Sequence, residues 1–369
     1  MRNFRSDVVG SLLRPEYLKQ ARAQHDSGAL SHADFKRIED RAVDEAIALQ
    51  TSAGLDVVSD GEMRRWAFYG HLTDCIEGFD AKGGWAIPFR DEAGTKLVLA
   101  RPVVLSKLKR RRHMCAEEFT YLRGRTRGHP KVTLLSAQQS AAYYDPEKSK
   151  AAYPTIDAYL ADIVDTLRGE VEELVKLGCT YIQVDAPQYA GLLDPDIREG
   201  YRQRGNDPDR LLERCIELDN AVIGNHPGIT FGLHLCRGNN QSRFYASGDY
   251  GPVAAVFRKT RFHRFLLEYD DARSGSFEPL KHVPDDRTVV LGLITTKKAA
   301  LEKKEDVKRR LREASAIVPM DRLALSPQCG FASTIEGNLV TAADQEAKLR
   351  LIAEIAQEMW AATPAGSAR

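Results

Sequence analysis

The stretch Phe231-Gly232-Leu233-His234-Leu235-Cys236-Arg237-Gly238-Asn239-Asn240 decides how the chain is read. Ile229, Phe231, Leu233 and Leu235 describe a buried strand, and a strand sends alternate side chains to the same face. His234 and Cys236 therefore point to one side near the strand's end, where Arg237-Gly238 turns the chain. Imidazole with thiolate is a donor pair that suits Zn²⁺, yet a lone His-x-Cys is also what ordinary core packing produces. The choice depends on whether other strands end in matching donors.

Working outward, the same unit recurs. Upstream, a helix over residues 157–177, stopped by Gly178, precedes a strand over 181–184 that ends in Asp185-Ala186-Pro187. A helix from about 208 to 223 leads into Phe231. Downstream, a strand over 265–267 ends in Glu268 and one over 289–294 ends in Thr295-Thr296. After a charged helix over 305–316, a strand over 323–325 ends in Ser326-Pro327-Gln328-Cys329-Gly330. Toward the N-terminus, residues 7–9 form a short strand ended by Gly10-Ser11, and Arg14-Pro15 opens a helix. The next helix spans 31–53 behind a capping box of Ser31 with Asp34. A strand over 55–58 follows and ends in Ser59-Asp60-Gly61-Glu62. Residues 131–135, ending in Ser136, supply the third strand. A final helix covers about 342–361, and the tail after Thr363 reads as frayed.

Eight strands alternating with helices predict an α/β fold, a (β/α)8 barrel forming one catalytic domain over residues 1–369. The alternation fails between Met63 and Pro130, so residues 63–130 read as an insertion after the second strand. It is expected to hold a hairpin (87–89 with 97–105, turning at 91–94) and a short helix near 117–123. A doubly wound sheet is the other reading, but neither G-x-G-x-x-G nor a P-loop follows any strand.

Bulk composition narrows the function classes. Of 369 residues, 43% are hydrophobic, enough for a large core. With 53 basic against 52 acidic residues the net charge is +1, so no global field favours nucleic acid or a membrane surface. The longest charge-free stretch is too short to span a bilayer, and the N-terminus has no apolar signal core. A cytoplasmic protein acting on small molecules is expected. Six cysteines are too sparse for a disulfide framework. Cys179 and Cys215 sit in apolar patterns and read as packing, and Cys75 and Cys115 show no ligand spacing. Cys236 and Cys329 differ, because each closes a strand and is trailed by glycine.

In a barrel, chemistry collects at the C-terminal ends of the strands. Those ends carry Ser11, Glu62, Ser136, Asp185, His234 with Cys236, Glu268, Thr295 and Cys329. Closure brings His234, Cys236, Glu268 and Cys329 to one side of the mouth, a tetrahedral zinc set with one exchangeable ligand. Ser11, Glu62 and Asp185 face them. Two carboxylates beside a hydroxyl suit an ammonium group, as on an amino-acid substrate, and make Glu62 and Asp185 the candidate catalytic pair. Plainer readings stand beside these. Glu268 can join Asp270, Asp271 and Arg273 in an ion-pair cluster, and Glu62 can pair with Arg64 or Arg65. Asp185 can be a turn former, and the basic run 107–112 can be a solvated hairpin flank or a phosphate contact.

Six motifs taken together carry a resemblance: Val9-Gly10-Ser11, Asp60-Gly61-Glu62, Ile182-Gln183-Val184-Asp185, His234-Leu235-Cys236-Arg237-Gly238-Asn239, Leu267-Glu268-Tyr269-Asp270-Asp271 and Pro327-Gln328-Cys329-Gly330. They resemble the C-terminal catalytic half of cobalamin-independent methionine synthase. The likeness is closer to that enzyme's short stand-alone relatives, which include the zinc-dependent epoxyalkane:coenzyme M transferases. It runs over nearly the whole chain and implies Zn²⁺ on His234, Cys236, Glu268 and Cys329. It also implies an amino-acid thiol held by Ser11, Glu62 and Asp185.

Three departures accompany it. The N-terminal half-barrel of the full-length enzymes has no counterpart in these residues. Thr295-Thr296-Lys297 stand where those enzymes carry a histidine proposed to protonate the leaving amine, and Ala186 replaces an acidic residue. A donor needing less acid help than a methylfolate, such as a methylcorrinoid or a strained epoxide, fits these changes. Arg14 would then meet a carboxylate or sulfonate on the acceptor thiol. The expected function is zinc-dependent S-methyl transfer to homocysteine or a similar thiol, with a methyl or alkyl donor as the second small molecule. The alternatives are an epoxyalkane:coenzyme M-type alkyl transfer, a metal-free lyase similar to uroporphyrinogen decarboxylase, and a zinc-storage protein; a homo-oligomer is left open.

Overall fold

Strands lying between a packed interior and a jacket of helices are buried on both faces, so their sequences read as near-continuous apolar runs. In the computed structural model, which describes residues 4–80, 83–84 and 86–360, six such strands pair in parallel in chain order. They are Val132–Leu135, Tyr181–Asp185, Thr230–Leu235, Arg264–Glu268, Thr288–Ile294 and Leu323–Pro327. Shorter pieces complete the ring. Val57–Val58 pairs in parallel with His129–Pro130, just ahead of Val132. The Val57 N–H donates to the Ser6 carbonyl at 3.3 Å, and Ser6 bridges Leu325 in parallel. The eighth strand thus meets the first, and the barrel closes as the alternation predicts. The first strand was expected over 7–9 but pairs only at Ser6. The carbonyls of Val8 and Val9 accept from Lys131 Nζ and Gln183 Nε2 instead of from a neighbouring strand.

Inside the ring, Val9, Leu266, Val290 and Ala324 form a separate apolar layer. Beneath it Lys131 Nζ sits 2.8 Å from Asp7 Oδ1, and Arg264 Nη2 lies 3.4 Å from Asp7 Oδ2. Buried charges persist when paired in this way. Two residues beyond Leu266 on the same strand, Glu268 returns to that face, toward the strand ends.

The outer helices form where apolar residues recur at helical spacing: Glu16–Asp26, His32–Ala53, Ile156–Lys176, Pro208–Ile223, Lys304–Ser315 and Ala342–Trp360. Ser31 Oγ accepts the Asp34 N–H at 3.1 Å. Gly54, in the left-handed region at φ 86°, closes that helix as few other residues can. The short helices Gly70–Cys75 and Pro195–Gln203 were not legible from periodicity. The tail after Thr363 lies outside the described residues.

The 63–130 region departs from the single expected hairpin. Ala86–Arg90 pairs with Lys96–Ala100, but the second arm breaks at Arg101-Pro102, and Val103–Arg110 pairs with Ile76–Asp80. Proline has no N–H to give a ladder, so the chain changes partner there. The basic residues 107, 109, 111 and 112 are exposed on and just beyond this second ribbon, the solvated-flank reading. Ala116–Arg123 is the expected short helix. The first hairpin lies against the barrel mouth. Arg90 and Phe244 exchange both backbone hydrogen bonds, at 2.7 and 2.9 Å, and the rings of Phe89 and Tyr245 meet edge to face with centroids 5.8 Å apart.

Candidate active site and metal centre

Asp185 and His234 are register partners on adjacent strands, which brings carboxylate and imidazole together: His234 Nδ1 is 2.9 Å from Asp185 Oδ1. An ionised carboxylate only accepts, so the proton sits on Nδ1 and Nε2 faces the other way. Nε2 is buried without a hydrogen-bond partner. The ligand atoms of His234, Cys236 and Cys329 all lie within 4.8 Å of one another, and all three residues are buried. One nitrogen with two sulfurs is a donor set for zinc rather than for magnesium or calcium. The Gly238 N–H donates to Cys236 Sγ at 3.1 Å, a bond that supports a thiolate.

Charge is spread unevenly over the trio. The Cys236 contact and the His234 imidazolium hold the Cys329 thiol well below its ordinary range, against the pull of burial. The same sulfur contact, with burial, pushes Cys236 well above it. Burial disfavours a charged His234, but its hydrogen bond to Asp185 and the nearby Cys329 sulfur outweigh that and lift it to about 10. A divalent ion entering here would displace these protons.

Behind the histidine runs a chain of hydrogen bonds. Lys131 Nζ donates to Gln183 Oε1 at 2.7 Å, and Gln183 Nε2 donates to Asp185 Oδ1 at 2.8 Å, the oxygen that holds His234. Such outer partners fix ring orientation and tautomer. The sequence alone does not mark Lys131, because a lysine at a strand start looks like a solvent-facing cap. Its place inside the barrel follows only from closure.

Glu62 stands at φ 54°, a left-handed conformation costly for a residue with a Cβ and typical of functional positions. Ser11 Oγ donates to Glu62 Oε2, and Thr133 Oγ1 donates to Oε1 at 2.6 Å. Burial raises the Glu62 pKa, while Arg65 works the other way. The expected pairing with arginine is slight. Arg65 Nη1 is 3.4 Å away, whereas that guanidinium's closest partner is Glu118, at 2.6 Å. Cys329 reaches this group because two loops touch. The Phe331 N–H donates to the Ser11 carbonyl at 2.6 Å, and a Cβ on Gly330 would fall 2.7 Å from the Ser11 nitrogen.

The structure differs from expectation at Glu268 and Arg14. The Glu268 carboxylate lies outside the 4.8 Å cluster. Its Oε2 accepts the Arg237 N–H at 2.7 Å, and its Oε1 sits 3.2 Å from Lys297 Nζ and 3.5 Å from Arg273 Nη2. Burial would raise its pKa, but Lys297, Arg273 and Arg237 together bring it below the ordinary range. Arg14, expected to meet a substrate anion, donates to the carbonyls of Arg65, Ala332, Thr334 and Glu62 at 2.7–3.4 Å. All three of its guanidinium nitrogens are thus engaged by backbone carbonyls.

Ser11, Glu62, Asp185 and the trio line one pocket at the strand ends, roofed by Phe68, Phe89, Leu99 and Tyr245, with Arg101 at its wall. The free space is about 50 Å³, room for a few waters and too little for an amino acid. A larger cavity, about 660 Å³, opens at the opposite end between Phe4, Asn225, His226 and Arg287. It holds none of the candidate site residues, and that barrel face ordinarily serves stability. The other four cysteines are buried and free.

A (β/α)8 barrel that gathers an imidazole, two thiols and two carboxylates at the C-terminal ends of its strands has the architecture of an enzyme whose strand-end cluster could hold a metal ion. The chain belongs to the cobalamin-independent methionine synthase family of methyltransferases: the family model described as "Cobalamin-independent synthase, Catalytic domain" matches residues 4–357. It is 36% identical over 367 residues to protein YxjH of Bacillus subtilis, described as uncharacterized, covering 97% of this chain and 95% of that one. It is 25% identical over 332 residues to the methionine synthase of Pyrococcus abyssi, covering 88% and 86%. A structure from Listeria monocytogenes, assigned as a vitamin-B12-independent methionine synthase, superposes with TM-score 0.73 at 26% identity over 98% of this chain and 99% of that one. The B12-independent methionine synthase of Shewanella sp. W3-18-1, solved with selenomethionine, shares the fold with TM-score 0.76 at 20% identity over 98% and 100%. No helix among the described residues is long and apolar enough to cross a membrane.

Proposed function

We propose that this protein is a zinc-dependent thiol S-methyltransferase whose acceptor is homocysteine or a similar thiol. The observation that carries the reading is the buried, unpartnered Nε2 of His234 facing Cys236 and Cys329 at the floor of the pocket. These three residues would hold the ion and leave room for an exchangeable ligand. Zinc bound there would lower the acceptor thiol's pKa, so that a thiolate exists at neutral pH.

The chain's own residues do the rest. Asp185, steadied by Gln183, keeps the proton on His234 Nδ1 and the lone pair of Nε2 on the metal side. Glu62 and Asp185 supply carboxylate for a substrate ammonium, and Ser11 fixes the Glu62 rotamer. Phe68, Phe89, Leu99 and Tyr245 exclude water, which strengthens each electrostatic contact beneath them. In the net reaction the acceptor gives up its S–H proton and forms an S–CH₃ bond, while the donor's CH₃–X bond breaks and X leaves with the electron pair. An acceptor bearing a sulfonate is the second reading, favoured by Arg101 at the pocket wall.

Zinc X-ray absorption of the purified protein, with and without homocysteine, tests this reading. One additional sulfur in the zinc shell on adding homocysteine is the expected result. Protein that carries no zinc, and binds none when supplied with it, would overturn the proposal and leave the metal-free lyase reading in its place.

A further inference from the structure

Arg101 lies where the insertion's second arm breaks, a cation in the apolar run Leu99-Ala100-Arg101-Pro102-Val103. It is only 3% exposed. Its guanidinium lies 4.8 Å from the centroid of the Tyr69 ring, and its Nε and Nη1 are buried with no hydrogen-bond partner. Among the described residues no carboxylate pairs with it. Arg14, Arg65 and Arg237 are buried as deeply, and each has its nitrogens engaged by carbonyls, carboxylates or hydroxyls. Arg101 alone of these four lines the pocket that holds Ser11, Glu62, Asp185 and the His-Cys-Cys trio.

A guanidinium held out of water without a counter-ion is unfavourable, and its planar fork matches an anion with two oxygens side by side. We propose that Arg101 is a specificity-determining residue that binds the oxyanion of the acceptor thiol, a carboxylate or a sulfonate, inside the pocket. This rests on the reading of the pocket as a thiol site. The pocket then offers a complement to each part of an amino-acid thiol: the trio's metal position for sulfur, Glu62 and Asp185 for the ammonium, Arg101 for the carboxylate. A mercaptoalkanesulfonate shares the anion and lacks the ammonium. Arg101 follows directly on the roof hairpin, so an anion bound to it also ties that hairpin down over the ligand.

Calorimetric titration of zinc-loaded parent, Arg101→Met and Arg101→Lys with three thiols tests the proposal. The thiols are homocysteine, 2-mercaptoethanesulfonate and 3-aminopropane-1-thiol, the last of which carries no anion. Arg101→Met is expected to weaken the anionic thiol roughly thirty-fold and to leave 3-aminopropane-1-thiol within about twofold, with Arg101→Lys, which keeps the charge but not the fork, recovering only part of the loss. The melting temperature of Arg101→Met is expected to change little, since losing the Tyr69 contact is offset by removing a buried charge without a counter-ion. Selective loss of homocysteine identifies a carboxylate, and selective loss of 2-mercaptoethanesulfonate a sulfonate. Equal affinity of parent and Arg101→Met for the anionic thiols overturns the proposal and leaves the thiol site standing. A parallel loss for all three thiols with a lowered melting temperature makes Arg101 structural and likewise overturns it. If none of the three binds the parent, the thiol site and the role of Arg101 fall together.

Discussion

His234, Cys236 and Cys329 were legible because each closes a strand in a pattern that a barrel brings to one rim. Glu268 obeys the same rule and stands at the same rim, yet it turns to Lys297 and Arg273. What the sequence lacks is the path of the loop after the seventh strand, which carries Lys297 inward to within reach of Glu268. Two roles for Glu268 can be separated. Glu268→Gln leaves Lys297 short of a buried counter-charge and should destabilise the protein by about 3–5 kcal/mol, read as a lower melting temperature, while zinc stoichiometry stays at the parent value. Cys329→Ser should do the reverse, losing zinc from a barrel that stays folded. Loss of zinc from Glu268→Gln would return that carboxylate to the ligand set. Arg14 differs from expectation for a related reason: a cation near the first strand's end can face the pocket or the backbone, and only the loops holding Arg65 and Ala332 supply the carbonyls that turn it away.

At the scale of the element, the roof hairpin was half legible. Its turn and first arm follow from residue types, but the exchange of partners at Pro102 depends on Ile76–Asp80, a strand without the alternation that would mark it. Phe89 is buried yet stands outside the main core cluster, with Tyr245 as its ring partner. Truncation there should open the roof without loosening the barrel. Phe89→Ala is therefore expected to weaken thiol binding several-fold, on the scale of a ring contact of about 1 kcal/mol, with little change in melting temperature. An equal loss in both would place Phe89 in the folding core instead.

For the molecule as a whole, barrel closure was legible from eight repeats of one pattern, whereas its charged interior was not. Asp219 shows how burial shapes the response to pH. It lies on the helix Pro208–Ile223 and accepts from Ser136 at 2.5 Å and Tyr189 at 2.8 Å, tying the loops after the third and fourth strands together. Burial raises its pKa to about 7, against the hydrogen bonds from Ser136 and Tyr189. Between the ordinary Asp range near 4 and about 7, the folded state holds a proton that the unfolded state has lost, so this group's contribution to stability falls as pH rises through that window. An amide at this position does not titrate. The melting temperature of Asp219→Asn relative to the parent should therefore climb from pH 4 to pH 7 and level off above, within a limit on the order of 4 kcal/mol. A difference that stays flat across that range would remove Asp219 as the source.

The two hydrogen bonds between Arg90 and Phe244 have a kinetic consequence. With about 50 Å³ beneath the roof, nothing the size of a substrate enters until that pair and the Phe89–Tyr245 contact part, at a cost on the order of 3 kcal/mol. Roughly one molecule in a hundred is then open at any instant, and a thiol enters more slowly than it would enter an open pocket by about the same factor. The pair works as a toll on every visitor, charged alike to substrate on arrival and to product on departure.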